Sequence, residues 1–154
     1  MPYCQKNTFD PLETPIIEQD IAKLVKLGHT KQIHEGEWLS KPLLAPKPHQ
    51  ENITDINDFI LRFCVNYIPL NSITKVISMH IPCCDEAVRN TFDGSKYKWL
   101  MGAVSGFNQI CVAKSSQAKL AFTGPCCSRY TYLVMPFGPV NGSVIFIIFI
   151  HDLD

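Results

Sequence analysis

Proline placement constrains this chain more than any other feature. Eleven prolines are spread along 154 residues, and each fixes φ and removes an N–H donor, so neither a long helix nor a central strand runs easily through one. The chain is therefore expected to build from short elements whose ends the prolines mark. Thr14-Pro15, followed by Ile16, Ile17, Asp20, Ile21, Leu24, Val25 and Leu27, reads as an amphipathic helix. Thr14 is its expected cap, Pro15 its first helical residue and Gly28 its stop. From Glu37 to Pro48, the prolines at 42, 46 and 48 hem in a short strand, expected as an edge strand or hairpin arm. His49 to Asp58 is polar and reads as a loop.

The stretch Phe59 to Tyr67 is aromatic and β-branched and predicts a strand closed by Pro69 and Asn71. Asp85 to Phe92 fits a short helix, and Tyr97 to Val104 is strand-like before turning at Ser105-Gly106 into Phe107-Asn108-Gln109-Ile110. Leu120 to Thr123 and Tyr130 to Met135 flank Gly124-Pro125, which predicts a hairpin. After Pro136-Phe137-Gly138-Pro139, Asn141-Gly142-Ser143 is placed to cap a closing helix that runs towards Asp154. Helices mixed with hairpins, without regular βαβ alternation, predict an α+β fold.

Apolar residues make up 46% and charged residues 18%, enough for a buried core. Lys+Arg and Asp+Glu both count 14, so no global positive field draws the chain to nucleic acid or to anionic lipid, and any such contact must be local. The first residues lack the apolar run of a signal peptide, and Val144 to Ile150 is too short to span a bilayer. The expectation is an intracellular protein, cytoplasmic or nuclear, with no membrane partner. The seven cysteines should then be thiols. Cys83-Cys84 and Cys126-Cys127, with His80 nearby, raise a zinc site, but adjacent thiolates rarely point at one ion, so free thiols are the expected state.

Four segments, in order and at compatible spacing, resemble the reverse transcriptase (RNA-directed DNA polymerase) of gypsy-like long-terminal-repeat retrotransposons. They are Arg62-Phe63-Cys64-Val65-Asn66-Tyr67 with Leu70-Asn71 and Thr74; Ser105 to Ile110; Lys119 to Thr123; and Tyr132 to Gly138 with Asn141. Trp38-x-Ser40 with Pro46-Lys47 fits the family's fingers segment. The resemblance implies fingers and partial palm of a right-hand polymerase over residues 36–154, after an N-terminal extension, 1–35, that carries the amphipathic helix. It also implies a chain that stops before the family's Tyr-X-Asp-Asp hairpin.

In that family two magnesium ions, held by an aspartate on the first palm strand and an Asp-Asp pair on the later hairpin, assist nucleotidyl transfer. The resemblance puts Gly102 where the first aspartate belongs, three positions before Ser105, so one metal ligand is missing. His151, Asp152 and Asp154 read as a solvated helix end rather than substitutes. No catalytic residue, no metal ligand and no cofactor are expected in this chain.

The nucleotide-facing positions that the resemblance carries over are Lys47, Arg62, Phe107, Phe137 and Gly138. Arg62 and Lys47 would contact phosphates, Phe107 would be the ring that excludes a 2′-hydroxyl, and Phe137-Gly138 would form the loop supporting the templating pair. Three of them have a plainer reading: solvated cations for Arg62 and Lys47, a core ring for Phe107. Asn66 stands where an aspartate is common, and Gly142-Ser143-Val144 replace the usual Ala-Pro-Ala. The expected function is that of a catalytically inactive fragment, binding template-primer or nucleotide weakly. The alternative is a non-catalytic module that binds nucleic acid or an intact polymerase chain. In the closing helix Phe146, Phe149 and Ile150 match the family's buried stripe, leaving Ile147 and Ile148 outward. The uncharged run Val144 to Ile150 also marks an aggregation segment.

Overall fold

The first helix, α1 (Thr14–Lys26), begins under the control of Asp10 rather than Thr14. The Asp10 carbonyl accepts the amides of Glu13 and Thr14 at 2.9 and 3.1 Å, and its carboxylate accepts the Leu12 amide at 3.0 Å. Glu13 occupies the cap position without a side-chain bond. Thr14 lies inside the helix and its hydroxyl donates back to the Asp10 carbonyl at 3.1 Å, because the Asp10 turn has already engaged the first free amides. Pro15 sits in the first turn as expected. The stop at Gly28 is also as predicted: its φ is +71°. His29 N–H donates to Leu24 O at 2.9 Å and Gly28 N–H to Val25 O at 3.0 Å, the paired 6→1 and 5→2 bonds that a left-handed residue makes possible.

The computed structural model describes residues 9–36, 38–46, 61–79, 89, 94, 96–97 and 102–152. After α1 come β1 (Thr30–Gln32), β2 (Lys41–Pro46), β3 (Leu61–Asn66), α2 (Ile68–Ile73), α3 (Lys114–Gln117), β4 (Ala121–Thr123), β5 (Arg129–Tyr132) and α4 (Gly142–His151). Short 3-10 turns cover Gly106–Gln109, Ala118–Leu120 and Pro125–Cys127. The strands form two antiparallel sheets, one in the order β1-β5-β4 and one pairing β2 with β3. The architecture is thus α+β, as predicted. The predicted loop 49–58, the helix 85–92 apart from Arg89, and Cys83-Cys84 with His80 lie outside the described residues. Of the predicted strand Tyr97 to Val104, Tyr97 and residues 102–104 are described and none of them is in a strand.

The predicted β4–β5 hairpin forms, and the proline-bounded strand pairs antiparallel with β3. Proline at both ends of β2 is tolerated because β2 is an edge strand, paired on one side to β3 with Pro42 opposite Val65 and Ala45 opposite Arg62. In the β4–β5 hairpin, Phe122 faces Tyr130. Its turn contains both adjacent cysteines at positive φ, +54° and +58°, and Gly124 N–H closes it onto Ser128 O at 2.8 Å.

The sheets share one core through Phe122, which is fully buried. Its ring meets Phe63 of the two-stranded sheet at 5.7 Å and Tyr132 and Tyr130 of the other at 5.3 and 5.8 Å. Ile17 and Ile21, one turn apart on α1, pack into the same cluster with Val65, Tyr67 and Leu70. Ser40 stitches the sheets in backbone terms, donating to Ala121 O at 2.9 Å and accepting from Thr123 N–H at 3.1 Å.

The closing helix α4 departs from its expected orientation. Val144 is buried and Phe146, Ile147 and Phe149 are half-buried, whereas Ile148 and Ile150 are each 41% exposed. Ile150 therefore leaves the predicted stripe and Ile147 joins the inner side. Seven consecutive apolar residues provide no polar contrast from which a face could be read. Replacing Ile148 and Ile150 with Gln and Arg should raise the soluble fraction on expression with helix content by circular dichroism unchanged. Ile147→Gln should instead cost about 1–2 kcal/mol of stability for the apolar area it strips from the core. Equal tolerance at the three positions would contradict this orientation. Among the described residues, no helix is long and apolar enough to cross a membrane.

Candidate functional site

Ser105 takes a left-handed conformation, φ +50° and ψ +40°, and turns the chain into the 3-10 segment Gly106–Gln109. Gly106 is required there, since a Cβ would stand 2.7 Å from the Phe146 ring of α4. That close approach lets Phe107 lie between two other rings. It is 5.1 Å from Phe146 at a tilt of 35° and 4.9 Å from Phe137, edge to face at 65°. Phe107 is half-buried and Phe137 is 68% exposed. Phe107 thus packs on α4 through Phe146 and also meets the exposed Phe137.

Backbone ties bring these segments together. Beyond the turn, Val112 N–H donates to Leu133 O and Met135 N–H to Ile110 O, both at 2.8 Å, so the chain enters Pro136-Phe137-Gly138 from a short ladder. Gly138 has φ +107°, and a Cβ on it would come within 3.2 Å of the Tyr67 ring and 3.6 Å of Val65 O. Two asparagines hold the loop that follows. Asn71 donates through Nδ2 to Gly138 O and accepts through Oδ1 from Val140 N–H, each at 2.9 Å. Asn141 donates to Lys75 O at 2.9 Å and accepts from Ile77 N–H at 3.0 Å. Asn141 stands at the cap position of α4 as predicted, yet its side chain makes no cap bond because it is spent on residues 75–77. Neither asparagine was assigned a site role by sequence reasoning, although both lie in the motif segments.

Tyr67 closes the underside. Its hydroxyl donates to Leu120 O at 3.1 Å, and burial, with a smaller contribution from Tyr132, pushes its phenol far above the usual tyrosine value. Burial, followed by Cys64, does the same to Tyr132. An unfolded tyrosine ionises near pH 10, so above that pH the unfolded state sheds protons that the folded state retains. The stability these phenols contribute is whole below about pH 10 and is lost as pH rises past it. Urea midpoints should therefore fall between about pH 9 and pH 11, and less steeply in Tyr67→Phe. A midpoint that Tyr67→Phe leaves with the same alkaline slope would contradict the burial of this phenol.

Arg62 projects from β3 on the side opposite Phe63, is exposed, and makes no ion pair with any described residue. It stands three residues, about 10 Å along a strand, from Val65, whose carbonyl abuts the Gly138 loop. Lys47 lies outside the described residues. Gly102 is exposed, and no described residue lies within 4 Å of where a Cβ would point. His151 and Asp152 are exposed at the end of α4, and among the described residues no group of three or more His, Cys, Asp or Glu side chains could hold a metal. Of the predicted positions, Phe107, Phe137 and Gly138 form one cluster, with Arg62 on the neighbouring hairpin. A cleft of about 590 Å³ between α1 and the Pro125–Ser128 turn, lined by Ile21, Val25 and Cys126 among others, contains none of them.

No protein-family model matches the sequence. Among solved structures, the native Prototype Foamy Virus protease-reverse transcriptase superposes with a TM-score of 0.74 at 20% identity, over 95% of this chain and 18% of that one. The foamy viral protease-reverse transcriptase in complex with double-stranded DNA gives 0.69 at 22% identity, over 95% and 23%. The same protein in complex with an RNA/DNA hybrid gives 0.71 at 19%, over 95% and 18%. The likeness shows a partial reverse-transcriptase-like polymerase fold, spanning about a fifth of the length of those chains.

Proposed function

We propose that residues 36–154 are the fingers and partial palm of a gypsy-like retrotransposon reverse transcriptase, preceded by the segment 1–35, and that this chain binds template-primer or nucleotide without polymerising. The observation that carries this reading is convergence. Segments far apart in sequence, around Tyr67–Asn71, Phe107 and Phe137–Gly138, meet in one aromatic cluster, and those are the segments whose motifs resemble the family. The bound double-stranded DNA and RNA/DNA hybrid of the foamy viral structures support nucleic acid as the ligand.

The residues present do not fit the magnesium site of the family. Gly102 offers no donor, and among the described residues no group of three or more His, Cys, Asp or Glu side chains replaces it. What the chain's own groups do is bind: Arg62, with Lys47 as the family resemblance implies, engages phosphate oxygens, while Phe107 and Phe137 present ring faces and edges to a sugar and base. With formal charge zero, affinity rests on these few local contacts and is weak. A second reading, a module that lends surface to an intact polymerase chain, is favoured by the exposed apolar residues Phe137, Val140 and Ile148 near the cluster.

Fluorescence anisotropy with a labelled primed template at low and moderate salt tests the first reading. Wild-type binding should weaken steeply with salt, and Arg62→Ala should weaken it roughly five- to tenfold at low salt while reducing the log–log salt slope by about one. Unchanged binding by Arg62→Ala at low salt would remove the carried-over phosphate contact and with it this reading.

A further inference from the structure

We infer that Asn71 and Asn141 are positioning residues that act as one reciprocal clamp, setting Phe137 over Phe107. This rests on the reading of that aromatic face as the nucleotide surface. Each asparagine uses both halves of its amide on the other's segment. Asn71, on α2, takes Gly138 O and Val140 N–H across 67 and 69 residues of sequence. Asn141, at the head of α4, takes Lys75 O and Ile77 N–H across 66 and 64.

Neither loop is in a β-ladder with the other, so the side-chain amides supply the donor–acceptor pairs that a strand would otherwise provide. The position of Phe137 follows from this. On its N-terminal side the chain is held by the Met135–Ile110 bond at 2.8 Å, and on its C-terminal side by the Asn71–Gly138 bond at 2.9 Å. Its ring, 68% exposed, has little surrounding packing to place it, so these backbone ties set its 4.9 Å approach to Phe107. Asn141 is the second half because Ile77 and Lys75 belong to the stretch that leaves α2, which carries Asn71. Loosening either segment moves the other's acceptors and donors.

Residue-resolved amide exchange on the purified chain, combined with titration of dATP and ATP, tests the clamp. Asn71→Leu and Asn141→Leu remove one clamp arm each. Each variant should speed exchange about tenfold at the amide whose acceptor it deletes and also at the other arm's amide, Val140 and Ile77 reporting on both, while Phe122 and Tyr132 keep wild-type protection. Should a leucine variant fail to fold, Asn141→Asp serves. It keeps an acceptor for Ile77 and can cap α4, but loses the donor to Lys75, and Val140 should still exchange faster. The dATP-to-ATP affinity ratio, which reports the ring next to the 2′ position, should move towards one in the clamp variants, a change that lost global stability would not produce. If each variant frees only its own amide, the asparagines are independent loop contacts and the clamp is overturned. If the wild type binds neither nucleotide, the nucleotide surface is wrong, and the exchange data alone still decide the clamp.

Discussion

Purified protein supplied with a primed RNA or DNA template, all four deoxynucleoside triphosphates and either magnesium or manganese will leave the primer unextended. The expectation follows from charge. Nucleotidyl transfer by two metals requires carboxylates that hold both ions against the triphosphate and the primer hydroxyl, and losing one bridging ligand removes several kcal/mol of transition-state stabilisation, roughly a thousandfold or more in rate. Gly102 has no side chain to donate. Among the described residues nothing lies within 4 Å of a Cβ built there, so Gly102→Asp should fold as the parent does. It should also remain inactive, because one added carboxylate does not make the three-ligand set that is missing among the described residues. Template-dependent incorporation by the parent chain would overturn the non-catalytic reading. Incorporation by Gly102→Asp alone would reveal metal ligands elsewhere in the chain.

The largest stability effect should come from Phe122→Ala. Phe122 is fully buried and its ring touches Phe63 from one sheet and Tyr130 and Tyr132 from the other. Truncation leaves a cavity where the side chains of both sheets meet, costing about 3–5 kcal/mol, a large fraction of the roughly 5–15 kcal/mol by which a domain is stable. Phe122→Leu, which fills most of the volume, should cost about 1.5 kcal/mol or less. Urea unfolding checks both. A loss below about 1 kcal/mol for Phe122→Ala would mean that the two sheets are stabilised separately. Because Val65 and Tyr67 border both this core and the Gly138 loop, the alanine variant should also weaken template binding. The Arg62→Ala change on the exposed side of β3 should leave stability unchanged.

Much of this architecture was written locally. Pro15 and Gly28 delimited α1 because proline fits the first helical turn and glycine takes, without strain, the positive φ that ends a helix. Gly124-Pro125 between two apolar runs dictated the β4–β5 hairpin, and the prolines of β2 demanded an edge position, which pairing with β3 alone provides. The motif order likewise pointed to a reverse-transcriptase-like fold. Where local signals competed, reading failed. Thr14 had the chemistry of a cap, but Asp10 lies earlier and took the amides first. In Val144 to Ile150 every residue is apolar, so only the neighbours of α4 decide that Ile147 turns inward and Ile150 outward.

The site divides in the same way. Gly102 has no side-chain donor whatever the fold, whereas that an aspartate belongs at this position is what the family resemblance implies. In sequence Phe107 could be a core ring or the ring that excludes a 2′-hydroxyl, and its neighbours along the chain do not choose between them. Only the fold brings Phe146 and Phe137 against it from later in the chain and leaves the ring half-buried. Asn71 and Asn141 show the limit most sharply. An asparagine before a loop and another before a helix each have an obvious local use, as turn former and as cap. Here their amides satisfy backbone groups 64 to 69 residues away, partners that exist only once Tyr67 and Val65 have packed against Gly138 and brought the two segments within hydrogen-bond range.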